Sequence, residues 1–177
     1  MSDFDPMDAF GLIRSYSRHR DFVRLALRRV SNELDERAEI HDASKMLDDE
    51  FAGFSRINAA ARINKFGSPE YAENMARERP TINLHFSRNS HHPERPTLLA
   101  LKTFDAQGDQ KDEMNFLDVI EMVCDWWGAR KGYDDPRSWT DTVKLNLEQK
   151  GKYLSAEQRW LAEQVASFLS SRKDLSE

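Results

Sequence analysis

The amino-acid sequence predicts an all-α protein, a single-domain helical bundle of six to seven helices. Apolar residues recur at spacings of three and four in several segments, which is the pattern of amphipathic helices. Proline, glycine and serine stand at the boundaries of these segments, and there is little strand-like alternation and no internal repeat. The length of 177 residues suits one domain with a sizeable core.

The first helix is predicted over residues 8 to 34, where one apolar stripe runs along the segment. Asp5 before Pro6 is a start signal for this helix, because proline is tolerated in a first helical turn. His19 lies on the stripe, so we expect its imidazole to face the core. The stripe comprises Leu12, Tyr16, His19, Val23, Ala26, Leu27, Val30 and Leu34.

Three shorter helices are predicted in the middle of the chain. The first of them ends at the stretch NKFGSP. Ser68 before a proline predicts the start of the next helix by cap chemistry, and Pro80 interrupts that helix. A short helix from Thr81 to Asn89 follows. Two prolines then break regular structure. Residues 92 to 112 are expected to form a loop, and the sequence does not decide whether this loop contains a small hairpin.

Three further helices are predicted in the last third of the chain. The first runs from Glu113 to Gly128, and its buried stripe comprises Phe116, Leu117, Ile120, Val123, Cys124 and Trp127. Pro136 is expected to start the next helix, which stops at Gly151. The spacing of Ser155 and Gln158 is that of a capping box, and it predicts the start of the last helix.

Composition and charge narrow the class of protein. The net charge of −5 argues against general nucleic-acid binding, which needs a basic face. Cys124 is the one cysteine, so no intramolecular disulfide forms and a reducing cytoplasm is the expected compartment. The acidic start MSDFDPMDAFGL is not a secretion signal, and no apolar run approaches the ~20 residues of a membrane span. We therefore expect a soluble protein, and homo-oligomerisation stays open.

Side chains that bind divalent metals are concentrated on a few segments. Imidazole and carboxylate are suitable ligands, and inward-facing side chains on several helices commonly build such sites in bundles. Asp125 lies in a strongly apolar helix, where a carboxylate is costly to bury unless it is paired or binds a cation. The candidate metal ligands are His19, His41, Asp42, His85, His91, His92 and Asp125.

Each of these residues also has an ordinary structural explanation. A single histidine on an apolar face, such as His19, is more often a hydrogen-bonded core residue. A double histidine before proline is often part of a surface loop, and a carboxylate such as Asp125 is often in a salt bridge. The sequence does not decide between His91 and His92 as the ligand.

The order of these residues resembles the HD-domain superfamily of metal-dependent phosphohydrolases, in which a helical bundle binds metal through a His…His-Asp…Asp set. The four core ligands of that pattern match His19, His41, Asp42 and Asp125. Extra ligands of two-metal members match His85 and either His91 or His92. The stretch HDASK also resembles the HD-x-x-K form, in which the lysine contacts the substrate phosphate, and Lys45 matches that lysine.

The stretches HDASK, NSHHPE and EMVCDWW more closely resemble an uncharacterised phage and bacterial family related to this superfamily. The resemblance implies one HD-like domain over residues 1 to 177. Its metal-site core would cover about 16 to 130, and C-terminal packing helices about 136 to 173. It also implies a bacterial cell, with a phage-encoded origin as one source.

The resulting hypothesis is a phosphohydrolase acting on a small phosphate ester, with a nucleotide as the favoured substrate and one or two divalent ions (Mn, Co, Mg, Zn or Fe) as cofactors. We expect Asp42, Lys45 and Glu121 to serve catalysis, Glu121 by orienting a ligand histidine. Glu50 is left open between that role and solvent. Substrate contacts are expected from Lys45, Arg88, Asn89 and Trp126, although core packing is the commoner role of such a tryptophan.

Two alternative functions stay open. One is a di-iron oxygenase of the HD type, because six or more nitrogen and oxygen ligands also suit iron. The other is a non-enzymatic interaction module in which any metal is structural.

Overall fold

The structure is a computed structural model that describes residues 6–64, 68–95, 114–133 and 135–171, and within them it contains α-helices and no strand. The all-α prediction is therefore confirmed. Two compact units are distinguished, Met1–His41 and Asp42–Glu177. The α-helices are α1 (Pro6–Ile40), α2 (Asp48–Ile63), α3 (Pro69–Arg77), α4 (Arg79–Arg88), α5 (Phe116–Gly132), α6 (Trp139–Lys150) and α7 (Ala156–Ser171). Short 3₁₀ helices cover Ala43–Met46 and Gly151–Tyr153.

The described residues of the first unit form one long helix, α1. It extends beyond the predicted end at residue 34, because neither proline nor glycine occurs between residues 12 and 41 to stop it. Tyr16, His19 and Val23 on the apolar stripe are exposed. The prediction that this stripe is buried is therefore wrong for the first unit. The described residues of that unit contain no second helix that could cover the stripe.

The second unit begins with a layer made by the first 3₁₀ helix, α2, α3 and α4. Ser68 caps α3 by accepting a hydrogen bond from the backbone N–H of Tyr71 at 3.2 Å, and Pro69 lies in the first turn, as predicted. The break between α3 and α4 falls at Glu78. Pro80 then lies in the first turn of α4, where its missing N–H is tolerated.

Helices α2 and α4 approach each other closely at Gly53. A Cβ atom added there would lie 2.2 Å from Thr81 Oγ1, so only glycine fits without a shift. One turn further along α2, Arg56 donates two hydrogen bonds to the Glu78 carboxylate at 2.6 and 2.7 Å. These contacts bring the first turn of α2, which contains Glu50, against α4.

The apolar core of the second unit lies among α5, α6 and α7. Its buried residues are Met114, Val119, Met122, Val123, Trp126, Leu147, Ala162 and Ala166. Asn115 and Asp118 form a capping box at the start of α5. The capping box of Ser155 and Gln158 is confirmed by reciprocal hydrogen bonds of 3.2 and 2.9 Å.

The remaining boundaries differ little from the predictions. Helix α6 ends at Gly151, as expected, but it begins at Trp139 with Ser138 as its cap and not at Pro136. Most of the loop predicted for residues 92 to 112 lies outside the described residues, as does Glu113. Among the residues that the structure describes, no helix is both long enough and apolar enough to cross a membrane.

Candidate metal centre

Asp42 stands where the second unit begins, and its backbone is left-handed, with φ 56° and ψ 15°. Aspartate tolerates this region better than most residues with a Cβ. The backbone N–H of Lys45 donates to the Asp42 carbonyl at 2.9 Å, and Lys45 Nζ lies 2.5 Å from Asp42 Oδ2. The local sequence HDASK thus turns the chain sharply and holds the second carboxylate oxygen of Asp42 on the lysine.

His85 on α4 is fully buried, and one of its ring nitrogens is held by α2. Its Nδ1 lies 2.9 Å from Glu50 Oε2 and 3.0 Å from Ser44 Oγ. Glu50 is 0% exposed, and Ser44 Oγ donates to the same carboxylate oxygen at 2.9 Å. Because a carboxylate only accepts, we assign the ring proton to Nδ1, which leaves the lone pair on His85 Nε2.

Arg88 and Asn89, which were predicted to bind substrate, are engaged in contacts that support this arrangement. Arg88 donates to Glu50 Oε1 at 2.9 Å and forms two further bonds with Asp49. These contacts raise the pKa of Arg88 and lower that of Asp49. Asn89 donates to Ser44 Oγ at 2.9 Å and to the His85 carbonyl at 2.8 Å. Both side chains therefore position the groups behind His85.

His91 is contacted by Glu121 of α5. Its Nδ1 lies 3.1 Å from Glu121 Oε1, and its Nε2 lies 3.4 Å from Asp42 Oδ1. The neighbouring Ser90 Oγ donates to the buried Asp118 carboxylate at 2.6 Å, which ties this turn to the start of α5. Glu121 thus has the contact expected of a carboxylate that orients a ligand histidine.

His92 is also buried, and neither of its ring nitrogens has a hydrogen-bond partner within the described residues. Its ring packs on Phe86, with 4.2 Å between the ring centroids. Burial, followed by the positive potential of its neighbours, lowers the pKa of His92 far below its ordinary value. His92 is therefore neutral and keeps a lone pair available for a cation.

Asp42, His85, His91 and His92 form what we call the histidine cluster. Asp42, His85 and His92 each offer one ligand atom, and these atoms lie within 4.8 Å of one another. Burial alone would raise the pKa of Asp42, but its neighbours, among them the paired Lys45 ammonium, hold that pKa well below the ordinary range. The cluster thus presents an ionised carboxylate beside the neutral imidazole of His92.

The cluster fits a divalent ion. His85 Nε2 lies 3.0 Å from Asp42 Oδ1, yet it has no hydrogen-bond partner, so the two atoms do not meet the angle of a hydrogen bond. Two ligand atoms that each lie about 2.1 Å from one ion are separated by about 3.0 to 3.4 Å. The distances from Asp42 Oδ1 to His85 and His91, 3.0 and 3.4 Å, match that separation.

The remaining predicted site residues are His19, His41, Asp125 and Trp126. His19 and His41 belong to the first unit, where His19 is exposed, and their roles as ligands stay predictions. Asp125 lies one turn beyond Glu121 on α5, partly buried, and its role also stays a prediction. Trp126 is 3% exposed in the apolar core, which suits the packing alternative and not stacking on a substrate.

Sequence reasoning did not name Ser44 or Asp49. Ser44 lies between Asp42 and Lys45 in HDASK, and this position was the feature of the sequence that could have indicated its contact with the site. Asp49 gave no signal, because acidic residues in the first turn of a helix are usual.

Comparison with known proteins yields one match. No curated protein matches the chain, and no solved structure does. The model of a family of unknown function (DUF5662) matches residues 9–173. Since the match spans nearly the whole sequence, the chain belongs to this family.

Proposed function

We propose that the protein is a metal-dependent phosphohydrolase that acts on a small phosphate ester, with a nucleotide as the favoured substrate. One observation carries the proposal. Glu50 contacts Nδ1 of His85, and Glu121 contacts Nδ1 of His91. The Nε2 atoms of these two histidines lie 3.0 and 3.4 Å from the same oxygen, Oδ1, of the Asp42 carboxylate. Carboxylates that orient ligand histidines through their other nitrogen are typical of metal centres that do chemistry.

The metal would be held by Asp42, His85 and His92, with His91 beside them. A bound divalent ion supplies a Lewis acid for a phosphoryl oxygen and lowers the pKa of water to roughly 7. Glu50 and Glu121 contact Nδ1 of His85 and of His91 and thereby aim the Nε2 atoms of both rings at the Asp42 carboxylate. The burial of all three histidines excludes bulk water around the ligands, which strengthens their electrostatic interactions.

The charge at the edge of the cluster favours an anionic substrate. Lys45 Nζ lies 5.0 Å from the Phe54 ring centroid, and the Phe54 ring packs edge-on against His85 at 5.0 Å between centroids. The lysine is partly exposed, so it can contact a phosphate group while it neutralises Asp42. The net charge of −5 favours a small substrate over a nucleic-acid polymer.

A direct test combines metal analysis with a nucleotide panel. The purified protein is expected to retain a divalent metal in stoichiometric amount and to release phosphate from at least one nucleotide with Mn²⁺, Co²⁺, Mg²⁺ or Zn²⁺. Removal of the metal with a chelator should abolish the release, and metal addition should restore it. Full metal occupancy without turnover of any phosphate ester would reject the proposal. A visible colour that bleaches on reduction would point to the oxygenase instead.

The Asp42→Asn variant tests the site itself. Asparagine keeps the side-chain shape and tolerates left-handed backbone, so the loss isolates the ligand charge. We expect turnover to fall at least about 100-fold and metal affinity to weaken with it, because a ligand is altered. Asp49→Asn is the matched control, since Asp49 is about half exposed and contacts only Arg88 among the groups above. Equal metal content and activity in both variants would contradict the assignment.

A further inference from the structure

A lysine from the C-terminal half of the chain lies beside the histidine cluster. Lys150 is the last residue of α6, and its side chain is half-buried. Its Nζ lies 5.9 Å from the centroid of the Phe86 ring. Phe86 in turn packs on His92, with 4.2 Å between the ring centroids. The helix that sequence reasoning assigned to packing alone thus delivers a positive charge to the candidate site.

The other cations at the site are already neutralised. Lys45 is paired with Asp42, and Arg88 is paired with Asp49 and Glu50. Lys150 has no carboxylate partner within the described part of the chain. Its contact with the Phe86 ring is a weak cation–π attraction. That contact does not replace a counter-ion, so the ammonium is available to an anion.

The positive charge of Lys150 lies near the cluster. Two successive ring contacts, from the Lys150 ammonium to Phe86 and from Phe86 to His92, connect this lysine to the metal-binding side chains. An ammonium at this position attracts a negatively charged ligand.

We propose that Lys150 is an anion-binding residue of this site and that it contacts a phosphate group of the small phosphate ester, an inference that rests on the proposed function. A lysine ammonium is a compact point charge with three donors, and it serves widely as a phosphate contact. Lys45, the lysine to which the HD-x-x-K resemblance gives this role, shares its charge with Asp42. The charge of Lys150, which has no carboxylate partner within the described residues, would add to the phosphate contact that Lys45 can make.

The experiment measures the binding of inorganic phosphate to the Mn²⁺-loaded full-length protein by calorimetry. Lys150→Met removes the ammonium and keeps much of the side-chain length. Lys152→Met is the matched control, because Lys152 is exposed, lies two residues away and also stacks on an aromatic ring, that of Tyr153 at 4.8 Å. Lys150→Arg restores the charge. Metal content and helical circular dichroism establish that each variant is folded and loaded.

We expect Lys150→Met to weaken phosphate binding about tenfold or more, the usual effect of losing one charge-assisted hydrogen bond. Lys152→Met should stay within about twofold, and Lys150→Arg should recover part of the loss. Unchanged affinity in Lys150→Met, or no phosphate binding by the wild-type protein, would overturn the inference. Phosphate binding that depends on Lys150 without turnover of any ester would refute the proposed function and leave the anion-binding residue standing.

Discussion

The second unit buries two kinds of side chain in two regions. Helices α5, α6 and α7 enclose an apolar core in which Val119, Met122 and Val123 are at most 1% exposed. The region of the first 3₁₀ helix, α2 and α4 buries charged and polar groups instead, with Glu50 and His85 at most 1% exposed. Ile82 is the buried hydrophobic residue that these elements contribute within the described chain.

The two regions differ in their roles: the apolar core stabilises the fold, and the polar region contains the proposed metal site. Apolar burial is the main favourable term in folding, whereas a buried carboxylate or imidazole is costly unless every polar atom is satisfied. Glu50 is satisfied by Ser44, His85 and Arg88, but both ring nitrogens of His92 lack a partner. Unsatisfied groups held close together in this region are the reason that we propose a metal site there.

The largest effect on stability is expected in the apolar core. Trp126→Ala should lower the free energy of unfolding by about 3 to 5 kcal/mol, because it removes a large buried side chain and leaves a cavity. Urea denaturation followed by circular dichroism measures it. Trp160→Ala is the control, since Trp160 is 62% exposed on α7 and should change stability little. Similar losses in the two variants would contradict the division between regions.

The next effect concerns metal affinity in the polar region. Glu50→Gln should weaken metal binding about 10- to 100-fold, because the neutral amide removes the negative charge that makes the His85 imidazole a stronger ligand. Competition with a chromogenic chelator measures the affinity. Asp49→Asn removes the exposed carboxylate on the same arginine and should stay within about twofold. A Glu50→Gln protein that binds metal as tightly as the wild type would show that the region is only structural.

The smallest effect is a pH dependence at the edge of the polar region. The hydrogen bonds from Arg56 lower the pKa of Glu78 below its ordinary 4.5, so the pair stabilises the fold above about pH 4.5. This stabilisation is lost as the pH falls through the lowered pKa of the folded state. The difference in unfolding free energy between wild type and Glu78→Gln should therefore shrink below pH 4.5. A difference that is constant down to strongly acidic pH would refute this.

Local signals made most of the fold predictable. The caps at Ser68 and Ser155 and the stop at Gly151 each depend on residues within one or two turns, and all three were found where expected. The burial of the α1 stripe was not predictable in this way, because amphipathic spacing shows that a helix has an apolar face but not what covers it.

The candidate site was predictable in its residue types and not in its contacts. The histidines and Asp42 stand out because few residue types bind divalent metals. The partners of His85 do not, since Glu50 lies in a different helix and is one of many acidic residues. Lys150 at the end of α6 and Phe86 on α4 are far apart in the sequence and meet only in the folded chain. The sequence did not show which of His91 and His92 is the better candidate for a metal ligand, and both are buried in the structure.

The left-handed backbone at Asp42 restricts which genetic changes the position tolerates. Most side chains disfavour a φ of 56°, while glycine and asparagine accept it. Neither replacement carries a charge. Saturation mutagenesis of Asp42 should therefore give two classes of variant, those that fold but lose the proposed function and those that fold poorly. Nearly every single substitution of this aspartate therefore loses either the carboxylate or the left-handed turn.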